Sequence, residues 1–181
     1  YLCFTMKKIA ILLALLCFAP ILKSQNWSDD FGMIDSLHIG GDVANVKDLF
    51  NDDDNMLYIG GPFSYANLEL VSQIIKWDGY NYYKLNSGIN HAGTVNTITK
   101  FNSNIVVGGT FPNASGAANT YYLAQWTGTH WQSVGGGGIN GEVMDLVVHN
   151  DTLYIGGNFN EIGSSVYDMI AAYSGSNWIN I

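Results

Sequence analysis

Arginine is missing from this chain altogether, and basic residues are scarce: seven lysines face fifteen aspartates and glutamates, for a formal charge of −8. There are two cysteines, Cys3 and Cys17, and charged residues make up 12% of the 181 positions. Each shortage excludes something. Without guanidinium forks nothing clamps a carboxylate or phosphate bidentately. The acidic balance repels phosphate backbones, so nucleic acid is not an expected partner. Both cysteines fall in the first 25 residues, so the remainder uses no disulfide and coheres by packing. No G-x-x-x-x-G-K-[ST] occurs to cradle a phosphate, and no G-x-S-x-G to form a nucleophile elbow.

The first 25 residues differ from the rest. Met6 is followed by Lys7-Lys8, the apolar run Ile9–Leu22, and Lys23-Ser24-Gln25. A basic start and an apolar stretch of this length describe a secretory signal peptide. The run is short and broken by Pro20, so no membrane span is expected in the mature chain. Cleavage is expected between Ser24 and Gln25, although Leu22 matches the small-residue rule poorly, and Tyr1–Thr5 read as upstream translation. Ala14-Leu-Leu before Cys17 lacks the small residues of a lipidation signal. Losing Lys7, Lys8 and Lys23 leaves four lysines against fifteen acids, a net of −11. The expected location is secreted or at the cell surface.

What the chain has is a repeat. Leu57-Tyr-Ile-Gly-Gly-Pro-Phe63 returns as Ile105-Val-Val-Gly-Gly-Thr-Phe111 and as Leu153-Tyr-Ile-Gly-Gly-Asn-Phe159, with Gly60, Gly108 and Gly156 spaced 48 residues apart. A fixed period of this size marks a repeat architecture. Val46-x-x-Leu49, Val95-x-x-Ile98 and Val143-x-x-Leu146 precede the glycines. Trp77, Trp126 and Tyr173 follow them, each two residues before Gly79, Gly128 or Gly175. Then come Tyr82, Trp131 and Trp178, and three residues later Leu85, Val134 and Ile181.

Each copy reads as four short strands, a to d. Strand a starts at the valine, and strand b is the apolar run into Gly-Gly. Strand c is 73–77, 122–126 or 169–173, and strand d begins at Tyr82, Trp131 or Trp178. Strand b is apolar on consecutive residues, which predicts burial on both faces. Asn51–Asn55, Asn102–Asn104 and Asn150-Asp151 join a to b, and Asp78-Gly79, Thr127-Gly128 and Ser174-Gly175 join c to d. Both sets are hairpin chemistry, because Asn and Gly tolerate positive φ. Four-stranded units of this length that bury both faces are propeller blades. Gly-Gly lets backbone approach a neighbouring blade closely, and the paired aromatics fill the wider space at larger radius.

The predicted class is therefore all-β: an incomplete β-propeller of about three blades over 26–181. The blades are placed at 46–88, 95–138 and 143–181, with 27–41 as a lone outer strand. A propeller needs at least four blades to close. The chain is accordingly expected to be an N-terminal fragment whose remaining blades lie in a missing C-terminal part; closure by oligomerisation is the alternative.

The pattern L-Y-I-G-G-x-F … A-x-W-x-G-x-x-W-x-x-V-G-G-G-x-N-G-x-V is matched by Leu123–Trp126, Gly128, Trp131, Val134–Gly138, Asn140-Gly141 and Val143. It resembles kelch-type, galactose-oxidase-like propeller repeats and is similar to the fungal cortical cell-polarity marker repeats. Such repeats also occur in large exported proteins of Bacteroidetes-type bacteria, often ahead of a C-terminal sorting domain. The resemblance covers Trp27 to Ile181. Copy one departs from it, with Tyr82 for the second Trp and Asn86-Ser87-Gly88 for the glycine run. It implies a propeller and secretion, from a bacterium, and leaves activity unspecified.

Chemical constellations are sparse. Sialidase-type propellers need arginines, and galactose-oxidase chemistry needs a cysteine linked to a tyrosine; the mature chain has neither arginine nor cysteine. His38, His91, His130 and His149 share no ligand spacing and read as loop or surface residues. Asp52-Asp53-Asp54 lacks the glycine and glutamate of an EF-hand and reads as a solvated turn. Asp48 and Asp145 hold equivalent places in strand a, with Thr97 between them in the series. They are a candidate acid pair for glycoside hydrolysis, against a reading as polar residues lining the axis.

The b–c connections, 64–72, 112–121 and 160–168, are long and variable. In a propeller they share a face with the d–a loops. That face carries Tyr65, Asn67, Glu69, Asn90, His91, Asn113, Asn140, Glu142, Asn160 and Glu161, the candidate ligand-binding residues. The expected function is a non-catalytic scaffold that binds a glycan or a protein, with no cofactor or metal. The alternatives are part of a secreted carbohydrate-active enzyme whose acids lie partly in missing blades, and a structural repeat of an adhesin-like protein.

Overall fold

The computed structural model describes residues 37–39, 42–43, 45–66, 69–90 and 92–181, all within the unit Ile34–Ile181. The leader with Ser24 and Gln25, and also Asn67 and His91, lie outside the described residues. Among these residues there is no helix.

Three repeats make three antiparallel sheets, each a simple up-and-down meander. β1 (Leu37–Ile39) and β2 (Asp42–Val43) come first, then β3 (Asp48–Asn51) and β4 (Leu57–Gly60), the hairpin strands β5 (Tyr65–Ala66) and β6 (Glu69–Leu70), and finally β7 (Ile74–Trp77) and β8 (Tyr82–Lys84). Blade 1 is β3-β4-β7-β8. Blade 2 is β9 (Val95–Phe101), β10 (Asn104–Gly109), β11 (Leu123–Trp126) and β12 (Trp131–Gln132). Blade 3 is β13 (Glu142–His149), β14 (Thr152–Asn158), β17 (Ile170–Tyr173) and β18 (Trp178–Asn180), with the hairpin β15 (Glu161–Ile162) and β16 (Ser165–Val166) between its second and third strands.

The turns follow their residues. Asn102 and Ser103 sit at φ 47° and 66°, and Asn150 and Asp151 at 48° and 55°, the positive pair a tight two-residue hairpin demands. In the c–d turns Gly79, Gly128 and Gly175 sit near φ 91–100°. There the residue before each glycine caps the turn: Asp78 Oδ1 accepts the Asn81 amide at 2.7 Å, Thr127 Oγ1 that of His130 at 3.2 Å, and Ser174 Oγ that of Asn177 at 3.1 Å.

The blades stack face to face. Ile105 and Val107 of β10 join the core shared with blade 1, alongside Tyr58, Ile74, Val95 and Ile98. Val106, between them, joins the core shared with blade 3, alongside Val143, Leu146, Leu153 and Ile155. Strand alternation thus sends successive apolar residues into two different cores, which is why the run is unbroken. β14 alternates instead, Leu153 and Ile155 being buried and Tyr154 half-exposed, because only one of its faces is covered.

The sheets approach most closely along their first strands. A Cβ on Gly60 would meet Val95 Cγ1 at 2.7 Å, and one on Gly108 would meet Val143 Cγ1 at 2.3 Å. Each glycine is the floor of a socket for the next blade's valine. The strand-d indoles form a second seam. Trp131 Nε1 donates to Leu85 O at 2.9 Å across the blade 1–2 junction, and the Trp178 indole packs over Gly135. Within a blade the aromatics pair as register partners, Trp126–Trp131 at 5.4 Å and Tyr173–Trp178 at 4.9 Å between centroids.

The segment read as a lone outer strand is different in its described part. Leu37–Ile39 is flanked on both sides: it pairs with β2 and with β5, in a small sheet of order β2-β1-β5-β6. Its partner Ala66 corresponds to Ala114 and Ile162, which bridge Ile89 and Ile139 in the same way. Leu37–Ile39 therefore takes the place of a d–a connector and satisfies the backbone of the b–c loop.

Two predictions follow from these contacts. Gly108→Ala forces Val143 back and should cost about 1–3 kcal/mol, whereas Gly156→Ala, with no atom of the described residues within 4 Å of its Cβ, should be near neutral; urea unfolding in dilute solution checks both. Asp78 carries a carboxyl held down to about 2, first by the Asn81 amide, then by the Tyr83 hydroxyl and the Tyr80 amide. A depressed pKa stabilises above its ordinary value of about 4 and stops doing so as pH falls through about 2. Asp78→Ala should lower the melting temperature at pH 6, with the gap to the parent chain closing between pH 4 and pH 2.

Candidate functional site

The d–a loop of one blade and the b–c loop of the next are bound to each other. At the blade 1–2 junction Asn90 donates its amide to Asn113 O at 3.1 Å, beside the Ile89–Ala114 bridge. At the blade 2–3 junction Asn140 donates its amide to Glu161 O at 3.2 Å, and Gly163 donates to Gly138 O at 2.9 Å. The two loop families do share a face, and their mutual hydrogen bonds are the reason.

The junctions use their asparagines differently. Asn90 Oδ1 accepts the nearby Ala92 amide at 3.1 Å, and Asn113 Oδ1 accepts that of Gly116 at 3.0 Å, so both carboxamides serve their own loops. Asn140 reaches across. Its Oδ1 accepts the Asn160 and Glu161 amides, each at 3.0 Å, and its Nδ2 donates to Asn160 Oδ1 at 2.6 Å. This double clamp edges an open cleft of about 380 Å³ lined by Asn140, Asn158, Phe159, Asn160, Asp168 and Met169.

The cleft is built on the repeat. Phe159 is buried, and its carbonyl accepts the Met169 amide at 3.0 Å, while Met169 O accepts the Gly157 amide at 2.9 Å. Held at both ends, Met169 sits at φ 61°, as Gln73 (62°) and Tyr122 (61°) do at the same place in their copies. Met169 is also 66% exposed, an apolar surface beside three amides and one carboxylate.

Of the expected residues, the structure brings Asn140, Asn160 and Glu161 together at one junction and Asn90 and Asn113 at the other. The others that are described stand apart from these two junctions. Glu69, on β6, forms an ion pair with Lys84 of the outer strand β8 at 3.0 Å. Tyr65, on β5, belongs to the small sheet with β1. Glu142 accepts Asn96 Nδ2 at 3.0 Å on the inner strands. Sequence reasoning passed over Asn158, Phe159, Asp168 and Met169. A signal was present for the first: the x of G-G-x-F is Pro62, Thr110 and then Asn158, the only amide of the three.

The other candidates take structural roles. Asp48 Oδ2 accepts the Ile98 amide of blade 2 at 2.6 Å, and Asp145 Oδ1 accepts the Leu146 amide at 2.9 Å. Asp52 is buried and its Oδ1 accepts the Asp54 and Met56 amides, so it caps its turn from inside and is not solvated as the sequence suggested. Asp53 pairs with Lys100 of blade 2 at 3.0 Å. His130 and His149 are exposed, their ring nitrogens contacting Thr127, Thr129 and Asn150.

A scan against protein-family models finds no match to this chain, and a search of curated proteins finds none either.

Because Asn140 holds two amides of the neighbouring loop, Asn140→Ala should cost about 1–2 kcal/mol. Amide hydrogen exchange at Asn160 and Glu161 should speed up with it. Asn90→Ala, whose carboxamide serves only its own loop, should leave exchange across its junction close to that of the parent chain.

Proposed function

We propose that this is an exported, non-catalytic binding module of the propeller-repeat type, and that the cleft at the blade 2–3 junction takes a neutral glycan. The single observation that carries the reading is the cleft's lining: the Asn158 carboxamide and the Asp168 carboxylate stand beside the exposed side chain of Met169, edged by the Asn140–Asn160 clamp. Carboxamides offer donors and acceptors together, which hydroxyl groups need. An apolar patch between convergent polar groups is the ordinary composition of a small-ligand site. A single carboxylate lines the cleft, whereas glycoside hydrolysis works with two. The acidic chain favours an uncharged partner over an anionic one.

Export to the cell surface rests on the basic, then apolar leader at residues 1–25. The kelch-like resemblance, of the kind found in exported bacterial proteins, is in keeping with it.

Glycan-array binding of the full chain tests the reading. Neutral oligosaccharides should be retained over sulfated or sialylated ones. Asp168→Ala and Asn158→Ala should each weaken retention about tenfold, the loss of one good hydrogen bond, with unfolding midpoints unchanged. Retention of a protein partner and no glycan, or release of new reducing ends from a polysaccharide, would overturn it.

A further inference from the structure

The two internal blade junctions share one design, and the chain carries an unused half of it at each end of the stack. In the first junction the socket is the row Asp48, Gly60 and Ile74, which are register partners across β3, β4 and β7. It receives Val95 and Ile98, which are 0% and 4% exposed. In the second junction the row is Thr97, Gly108 and Leu123, and it receives Val143 and Leu146, 0% and 7% exposed.

The corresponding row of blade 3 is Asp145, Gly156 and Ile170. It receives nothing among the described residues: no atom lies within 4 Å of a Cβ built on Gly156, and Ile170 is 42% exposed where Ile74 is fully buried. The next row, Val147, Tyr154, Ala172 and Ile179, continues the apolar face, with Val147 55% and Ile179 45% exposed. On blade 1 the corresponding knobs are Val46 and Leu49, at 44% and 57% exposed. Knob and socket thus sit on opposite faces of the blade stack, both open among the described residues.

We propose that the blade 1 face of one copy of this chain docks on the blade 3 face of a second copy. Val46 and Leu49 enter the socket floored by Gly156, as Val95 and Val143 enter theirs. Asp145 supplies the carboxylate that, at Asp48, takes the Ile98 amide of the incoming strand. The association is head-to-tail, because the two surfaces are different patches. The inference is independent of the glycan reading: the cleft lies on the loop face, and these residues lie on the strands of the two outer blade faces.

Sedimentation velocity of the full chain tests it, with circular dichroism confirming that each variant folds. The parent chain should associate at micromolar concentration. Leu49→Asp spoils the knob and Ile170→Asp the socket. Both side chains are exposed in the single chain, so each variant should fold and be monomeric, with association weakened at least about tenfold. An equimolar mixture should recover a dimer, because each variant keeps the half the other lacks. A parent chain that stays monomeric at 100 µM would overturn the proposal. So would association lost in one variant and untouched in the other, which marks a self-complementary dimer.

Discussion

A valine seated on a glycine holds this structure together. Val95 over Gly60 and Val143 over Gly108 let two β-sheets approach along their first strands more closely than any side chain on the floor would permit. The approach is tight because one partner has no Cβ and the other is branched at Cβ, stiff and wide. Once the inner strands touch there, the sheets splay outward with distance from that seam, and larger groups must fill the opening. Tryptophans and tyrosines at the c–d hairpins do so, and Trp131 ties its indole to the neighbouring blade while filling.

The same seam explains the polar residues beside it. Register slips between Gly108 and Gly109 and again between Val143 and Asp145, which leaves Asn96 and Met144 as extra, unpaired residues. A bulge re-aims a side chain. Asn96 is turned to the next blade, where its Nδ2 donates to Glu142 Oε1 and Val143 O, both at 3.0 Å. Asp48, a paired residue of blade 1, also reaches the next blade, its Oδ2 accepting the Ile98 amide. Asp48, which looked like half of an acid pair in the sequence, thus clasps the next blade's backbone, while Asp145 accepts the amide of the adjacent Leu146; Glu142, expected in a ligand face, accepts Asn96 across the same seam.

Legibility varied with the range of the interaction involved. Strand b was readable because burial on both faces writes itself as consecutive apolar residues, as in Ile105-Val-Val107. The hairpins were readable because positive φ is a local requirement that Asn and Gly announce. Loop contacts were readable only in outline. The pairing of Asn140 with Asn160 spans twenty residues, and nothing in either loop states that one carboxamide clamps across while its counterpart Asn90 caps its own turn. The ion pair of Glu69 with Lys84 is of the same kind, a contact between two hairpins that neither local sequence states.

The 48-residue period, the glycine sockets and the turn residues settle by themselves that this chain forms repeated antiparallel four-stranded sheets, since each is a demand of local geometry or of burial that a single residue type meets. Tertiary structure alone decided which carboxylates brace backbones and which loop opens into a cleft. It also decided that Gly156, which opens the same Gly-Gly-x-Phe as Gly60 and Gly108, floors a socket that no described residue fills. A residue's neighbours across a junction come from another sheet, and no spacing along the chain records whether that sheet is there.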